Sequence, residues 1–197
     1  MLKHRGAARV TGIDLSDGMV ALARRQEAEA PLGVEYLTGD GRNLQLPRKY
    51  DLVVAAYLLN YAPDRDELDA MCQSIAGCLK PGGRFVTVNS NPACNFRTAP
   101  SYRPYGFETR LQEASTAGEV AEGTPITWTF FLDDGEFSIE NYFLSISVHE
   151  EVLLRAGFRT HLWHPPRLSA EGFANYGQSF WQPFLDVPPV TFLECRL

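Results

Sequence analysis

The 197-residue sequence holds no run near the roughly 20 apolar residues needed to span a bilayer. It does not open with a charged-then-apolar leader either. The two absences set an expectation of no membrane partner and no secretory route. Histidine is scarce, at four, and the four cysteines Cys72, Cys78, Cys94 and Cys195 form no CxxC pair. Isolated thiols of this kind suggest a reducing, cytoplasmic setting. His161 and His164 stand three apart on an expected strand, so they point to opposite faces, and no metal site is expected. A positive surplus is missing too: Lys plus Arg number 18 against 24 Asp plus Glu, a net charge of −6. That balance argues against nucleic acid as a partner, because phosphate contact needs clustered cations. There is no internal repeat, low-complexity tract or nucleophile motif.

What is present suffices for a packed core, with 45% hydrophobic and 21% charged residues. Leu2 to Ala8 reads as the last turns of a helix stopped by Gly6. The stretch RVTGIDLSDGM then reads as a strand ending at Asp14 and a helix capped by Ser16 or Asp17. That helix runs from about Gly18 to Ala30 and stops at Pro31. A second strand, Val34 to Thr38, closes on Gly39-Asp40-Gly41. Tyr50 to Ala56 (YDLVVAA) is a continuous apolar strand of the kind buried on both faces. Asp64 with Glu67 three residues on predicts a capping box. Leu68, Met71, Cys72, Ile75 and Leu79 make the apolar stripe of the helix that follows. LKPGG ends that helix, and Arg84 to Val88 is the next strand. Strands alternating with helices at short spacing mean a mostly parallel sheet with helices on its faces.

Asn89 to Gly123 changes character: prolines and aromatics without regular pattern mark a lid or binding segment, and the whole insertion is taken as about 90–146. Asp133-Asp134-Gly135 between alternating runs marks a hairpin, Ile126 to Leu132 and Glu136 to Ile146. Ser147 is expected to cap a helix ending at Gly157, with His149 on its surface. Phe158 to Trp163 is a strand, Pro165 to Pro189 an aromatic-rich connection, and Val190 to Cys195 a final strand that can pair antiparallel. The whole of residues 1–197 is expected to be one domain with an insertion.

In an open α/β sheet, ligands sit beyond the carboxyl ends of the strands. Asp14 stands at such an end, where a carboxylate can hold a vicinal diol or simply cap the next helix. Asp40 is a second acid at a strand end. Tyr57, Asn60 and Tyr61 follow the third.

The segments VTGIDLSDGM, YLTGDGRNLQLP, YDLVVAAYLLNYAPD and LKPGGRFV, in that order, resemble the class I S-adenosylmethionine-dependent methyltransferases over nearly the whole chain. The resemblance implies a Rossmann-like α/β fold with an antiparallel final strand and a β-hairpin lid insertion. It implies S-adenosyl-L-methionine as cofactor. Asp14 would bind the ribose hydroxyls, with Leu15 and Met19 packing on the adenine. Asp40 would accept from the adenine amino group, and Gly41 would donate its N–H to a ring nitrogen. Ala56 and Tyr57 would lie by the methionine portion, and Asn60 and Tyr61 by the methyl group or its acceptor. Apart from the resemblance, Tyr102, Tyr105, Trp128 and Tyr142 of the lid can either line an aromatic substrate pocket or pack the hairpin onto the sheet, with Tyr102 and Tyr142 kept as substrate-facing candidates. The sequence departs from the family in one respect. The first strand and its glycine-rich turn are absent, so the domain is expected to be N-terminally truncated, with two strand edges exposed at Val10 and Leu52.

The reading that follows is methyl transfer to a small-molecule N, O or C acceptor. The alternatives are a non-catalytic methyltransferase-like binding protein and, third, a nicotinamide-dependent oxidoreductase, since a Rossmann strand also ends in a ribose-binding acid.

Overall fold

A computed structural model describes residues 2–112 and 118–197. Strand β1 (Val10–Asp14) leads into α1 (Asp17–Glu29), and β2 (Val34–Thr38) returns parallel to β1. Ser16, not Asp17, is the N-cap: its hydroxyl accepts from the Met19 N–H at 3.3 Å. At the far end, Glu27 accepts from the N–H groups of Leu32, Gly33 and Val34 at 2.7, 2.6 and 3.1 Å, which fixes the turn into β2. Gly12 is required in β1, since a Cβ there would lie 2.7 Å from the Tyr36 ring of its partner strand. Upstream, only a short 3-10 turn, Lys3–Arg5, stands where a helix end was expected.

The second half is a four-stranded sheet in the order β3-β4-β9-β8. It comprises β3 (Tyr50–Ala56), β4 (Leu79–Ser90), β8 (Thr160–His164) and β9 (Val190–Arg196). β3 and β4 are parallel, and β9 runs antiparallel to both β4 and β8, as expected of the final strand. α2 (Arg65–Cys78) and α3 (Ile146–Arg155) cover one face. Leu68, Met71, Cys72, Ile75, Phe85, Val152, Leu153, Leu193 and Cys195 interlock there as the main core. Burial pushes the Cys72 and Cys195 thiols up to about 12, so both are inert apolar filler.

The opposite face is open. Val54 is 54% exposed, with Leu162 and Phe192 also exposed. β3 is therefore covered on one face, not on both as its continuous apolar run implied. β1 and β3 share no backbone ladder, so the parallel strands fall into two sheets. The seam is crossed by a hydrogen bond between the Thr11 and Tyr50 hydroxyls at 2.7 Å.

The insertion is a three-stranded antiparallel sheet of β5 (Phe107–Leu111), β6 (Thr124–Leu132) and β7 (Gly135–Phe143). The Asp133-Asp134-Gly135 hairpin is present, while β5 was not foreseen. The connection from Pro165 to Pro189 contains α4 (Ala170–Asp186), broken at Gly177, whose φ of 74° leaves the helical region. Two further expectations are corrected. Ser145 caps α3, accepting from the Val148 N–H, and Ser147 only bonds to it. His149 is buried, because its Nδ1 meets the Ser145 carbonyl at 2.9 Å and its ring stands edge-on to Trp163.

Candidate functional site

The carboxyl ends of β1, β2, β3 and β4 share one rim. At the end of β2 the Gly39 N–H donates to the Asp14 carbonyl at 3.0 Å, which extends the ladder and sets Asp40 next to Asp14. Thr38 Oγ1 donates to Asp17 at 2.7 Å and ties that end to the start of α1. Asp14 Oδ1 accepts from the Ser16 N–H at 2.8 Å, and its second oxygen is unpartnered. Both readings of Asp14 thus hold together: one oxygen shapes the entry to α1, and the other is open. A carboxylate has about four acceptor sites, so a diol still fits.

Asp40 is differently placed. Its Oδ1 accepts from the Arg42 N–H at 2.9 Å and from Arg42 Nε at 3.0 Å. Its Oδ2 accepts from Arg42 Nε at 3.0 Å and from Nη2 at 2.6 Å. The Arg42 guanidinium, and after it the Arg42 N–H, hold the Asp40 carboxyl below the usual carboxylate range. Arg42 was not singled out from the sequence. Glu67 explains its position: Glu67 Oε1 and Oε2 each accept from Arg42 Nη1 at 3.3 Å. Only half of the expected capping box therefore forms. The Asp64 carboxylate accepts the Glu67 N–H at 2.9 Å, while the Glu67 side chain turns to Arg42. Gly41 is packed against Leu58, and a Cβ there would approach that side chain to 3.2 Å.

Across the seam, the Tyr57 N–H extends the β3–β4 ladder to the Val88 carbonyl at 2.8 Å. Tyr57 then turns with φ +57°, the one non-glycine in the left-handed region among the described residues. Partial burial pushes its phenol up from the ordinary value. The turn leads into a short 3-10 segment, Leu59–Tyr61. Asn60 is buried, with its Oδ1 accepting the Ser90 N–H at 2.9 Å and its Nδ2 without a partner. It locks the end of β3 to the end of β4 and does not lie on the surface. Leu15 (68%), Met19 (54%), Tyr57 (43%) and Tyr61 (46%) leave large apolar area open on this rim. Ala56 lies on it as well, at the last position of β3.

The lid residues separate. Tyr102 is buried, its ring stacked on Phe107 and its hydroxyl donating to the Val187 carbonyl at 2.7 Å. Of its two readings, packing and substrate-facing, the structure gives packing, so its place among the substrate-facing candidates is corrected. Tyr105 stacks on Trp181 and donates to the Phe180 carbonyl at 2.7 Å, which moors α4. Trp128 is likewise inside the lid core. Tyr142 is half-buried on β7, and its hydroxyl donates to Glu140 at 2.9 Å. Among the described residues, no group of three or more His, Cys, Asp or Glu side chains could hold a metal. Among the same residues, no helix is long and apolar enough to cross a membrane.

Residues 1–83 match the model of a methyltransferase domain. A ubiquinone biosynthesis O-methyltransferase of Pseudomonas savastanoi pv. phaseolicola is 35% identical over 92 residues, 45% of this chain and 38% of that protein. The corresponding protein of Pseudomonas entomophila is 33% identical over 95 residues, 46% of this chain and 39% of that one. The match thus spans about two-fifths of the length of these curated relatives. Among solved structures, the CcbJ methyltransferase from Streptomyces caelestis aligns with a TM-score of 0.67 at 20% identity, covering 99% of this chain and 81% of that one. CalS10, an amino pentose methyltransferase from Micromonospora echinaspora, aligns with a TM-score of 0.60 at 19% identity, covering 98% and 76%. The architecture is that of the class I S-adenosylmethionine-dependent methyltransferases.

Proposed function

We propose that this chain, with its class I methyltransferase fold, binds S-adenosyl-L-methionine and serves methyl transfer to a small-molecule acceptor. The observation that carries the reading is the pair of carboxylates at adjacent strand ends, Asp14 and Asp40. Each keeps acceptor capacity beside an open apolar rim. These residues fit the nucleoside half of the cofactor. Asp14 would take the ribose hydroxyls on its free oxygen and the spare lone pair of Oδ1. Asp40 would accept the adenine amino group, with the Gly41 N–H beside it where any side chain would crowd Leu58. Leu15 and Met19 would cover the ring, and Ala56 and Tyr57 would lie by the methionine portion.

When bound, the cofactor supplies an electrophilic methyl group on a sulfonium. The chain's part is positioning, which can provide much of the rate of an in-line displacement. Tyr57 and Tyr61 stand at the rim where an acceptor would approach, and Tyr142 on β7 would meet it from the lid. Asn60 holds the two strand ends at fixed separation.

The net charge of −6 favours a small molecule over nucleic acid. Four free, buried cysteines support a cytoplasmic setting. We take residues 1–197 as one unit with its lid at 90–146. A second reading, a nucleoside-binding protein without turnover, draws on the open seam between β1 and β3, which leaves the rim in two halves. The test is calorimetric titration with S-adenosylhomocysteine. Micromolar binding is expected, and a folded chain that does not bind refutes the assignment. Binding without transfer to any of a panel of phenol, amine and amino-sugar acceptors would favour the second reading.

A further inference from the structure

We propose that Arg42 is a positioning residue that fixes the orientation of the Asp40 carboxylate and so sharpens the site's preference for an amino-bearing purine. The inference rests on the nucleoside reading above. Arg42 reaches Asp40 by its own N–H at 2.9 Å and by the Nε/Nη2 edge of its guanidinium, at 3.0 and 2.6 Å. This is the two-toothed fork that matches a carboxylate edge. The third guanidinium nitrogen, Nη1, is taken by both oxygens of Glu67 at 3.3 Å. Glu67 is in turn fixed in the first turn of α2 by its N–H bond to Asp64 at 2.9 Å. Arg42 is therefore held from two sides and cannot swivel without breaking bonds to two acids.

Three N–H donors of Arg42 make four contacts to the Asp40 carboxylate, with Nε–H shared between the two oxygens, against about four acceptor sites. Capacity for at most one further donor remains, on a group that carries no proton to give. Such a contact accepts from an exocyclic amino group. A purine with a carbonyl at that position would set oxygen against oxygen and leave the carboxylate unsatisfied. Without Arg42 the carboxylate could rotate and hydrate, and the discrimination would lapse. A plain surface ion pair would be the ordinary role for two groups this exposed. That role predicts a different result.

The experiment titrates wild type, Arg42→Ala, Arg42→Lys and Glu67→Gln with S-adenosylhomocysteine and with S-inosylhomocysteine. Circular dichroism confirms that each variant is folded. Wild type is expected to favour the adenosyl ligand by about thirtyfold or more. Arg42→Ala should lose about tenfold in adenosyl affinity while inosyl affinity barely changes, so the ratio collapses towards about threefold. Arg42→Lys, which keeps the charge but not the fork, should fall between. Glu67→Gln should shift the ratio less than Arg42→Ala. An equal loss for both ligands would make Arg42 merely structural and overturn the inference. Tighter adenosyl binding by Arg42→Ala would make it a block on Asp40 and overturn the inference as well. If wild type binds neither ligand, the nucleoside reading itself fails, which the variants cannot mimic.

Discussion

Removing Asp14 should cost the ribose and nothing else in the ligand. In the structure Oδ1 already accepts one backbone N–H, from Ser16 at 2.8 Å, and Oδ2 accepts none. A vicinal diol would thus add two charge-assisted hydrogen bonds. Such bonds contribute about 1.5–3 kcal/mol each when shielded, and nearer 1 kcal/mol at a rim open to water. Their joint loss, about 2 kcal/mol, corresponds to roughly thirtyfold in affinity. Asp14→Ala also releases the Ser16 N–H at the start of α1, so Asp14→Asn is the needed companion. Its side-chain oxygen keeps the turn while the amide replaces the free oxygen. The assay is calorimetry on both variants with S-adenosylhomocysteine and its 2′-deoxy analogue. Wild type should lose about tenfold on removal of the 2′-hydroxyl, and Asp14→Ala less than about twofold, a coupling that isolates the contact. An equal penalty in wild type and Asp14→Ala would show that the hydroxyl does not meet Asp14, and the ribose assignment would fall.

Two predictions concern stability. Tyr57 bears a left-handed backbone at φ +57°. Tyr57→Gly and Tyr57→Ala lose the same ring, but only glycine is at ease there. In urea unfolding the glycine variant should be the more stable, by about 1 kcal/mol; a more stable alanine variant would refute the strain. His149 is buried, and burial holds its folded pKa below the ordinary value near 6.5. The neutral ring is favoured in the fold. This group therefore leaves stability unaffected above 6.5, and stability falls as pH drops from there towards the folded pKa, by at most about 1.4 kcal/mol per pH unit. Urea midpoints at pH 7, 6 and 5 should fall more steeply for wild type than for His149→Gln. Parallel curves would show that His149 is not the group responsible.

Local signals carried much of the fold. Asp64, Ser16 and the Asp-Asp-Gly turn act within a few residues of themselves, and each forms the cap or hairpin its chemistry demands. What escaped depends on distant partners. α4 carries Gly172, Gly177 and Pro183, all poor helix residues. It stands because Phe180, Trp181 and Phe184 close around Tyr105, some 75 residues away in sequence. His149 reads as a surface residue until Trp163 and the Ser145 carbonyl enclose it. The open face of β3 could not be read from an apolar run, which reports hydrophobicity but not what covers it. In the site, the positions of Asp14, Asp40 and Tyr57 followed from strand ends. Arg42 did not, although it is two residues from Asp40, because its role depends on Glu67 turning away from its own helix cap.

That same pair bears on how the two halves of the rim work together. Asp14 and Asp40 stand on the two-stranded sheet, and Tyr57, Asn60 and Tyr61 follow the four-stranded one, with no backbone hydrogen bond between β1 and β3. What joins the halves is side-chain contact. Thr11 meets Tyr50 at 2.7 Å, the Leu44 N–H donates to Ser74 Oγ at 2.8 Å, Gly41 packs on Leu58, and Arg42 spans Asp40 and Glu67. The Arg42 ion pairs are exposed and contribute little, and the two part-buried hydrogen bonds contribute about 1 kcal/mol each. The separation of Asp14 and Asp40 from the tyrosines is therefore set by several ties in parallel. Under the proposed function, a ligand that touched Asp14 on one side and Tyr57 on the other would add a bond across the seam itself. Its binding free energy would then stabilise that juxtaposition as well as the native state. Arg42 fastens the loop after β2 to the first turn of α2, and in the proposed site the same side chain would orient Asp40 for the base.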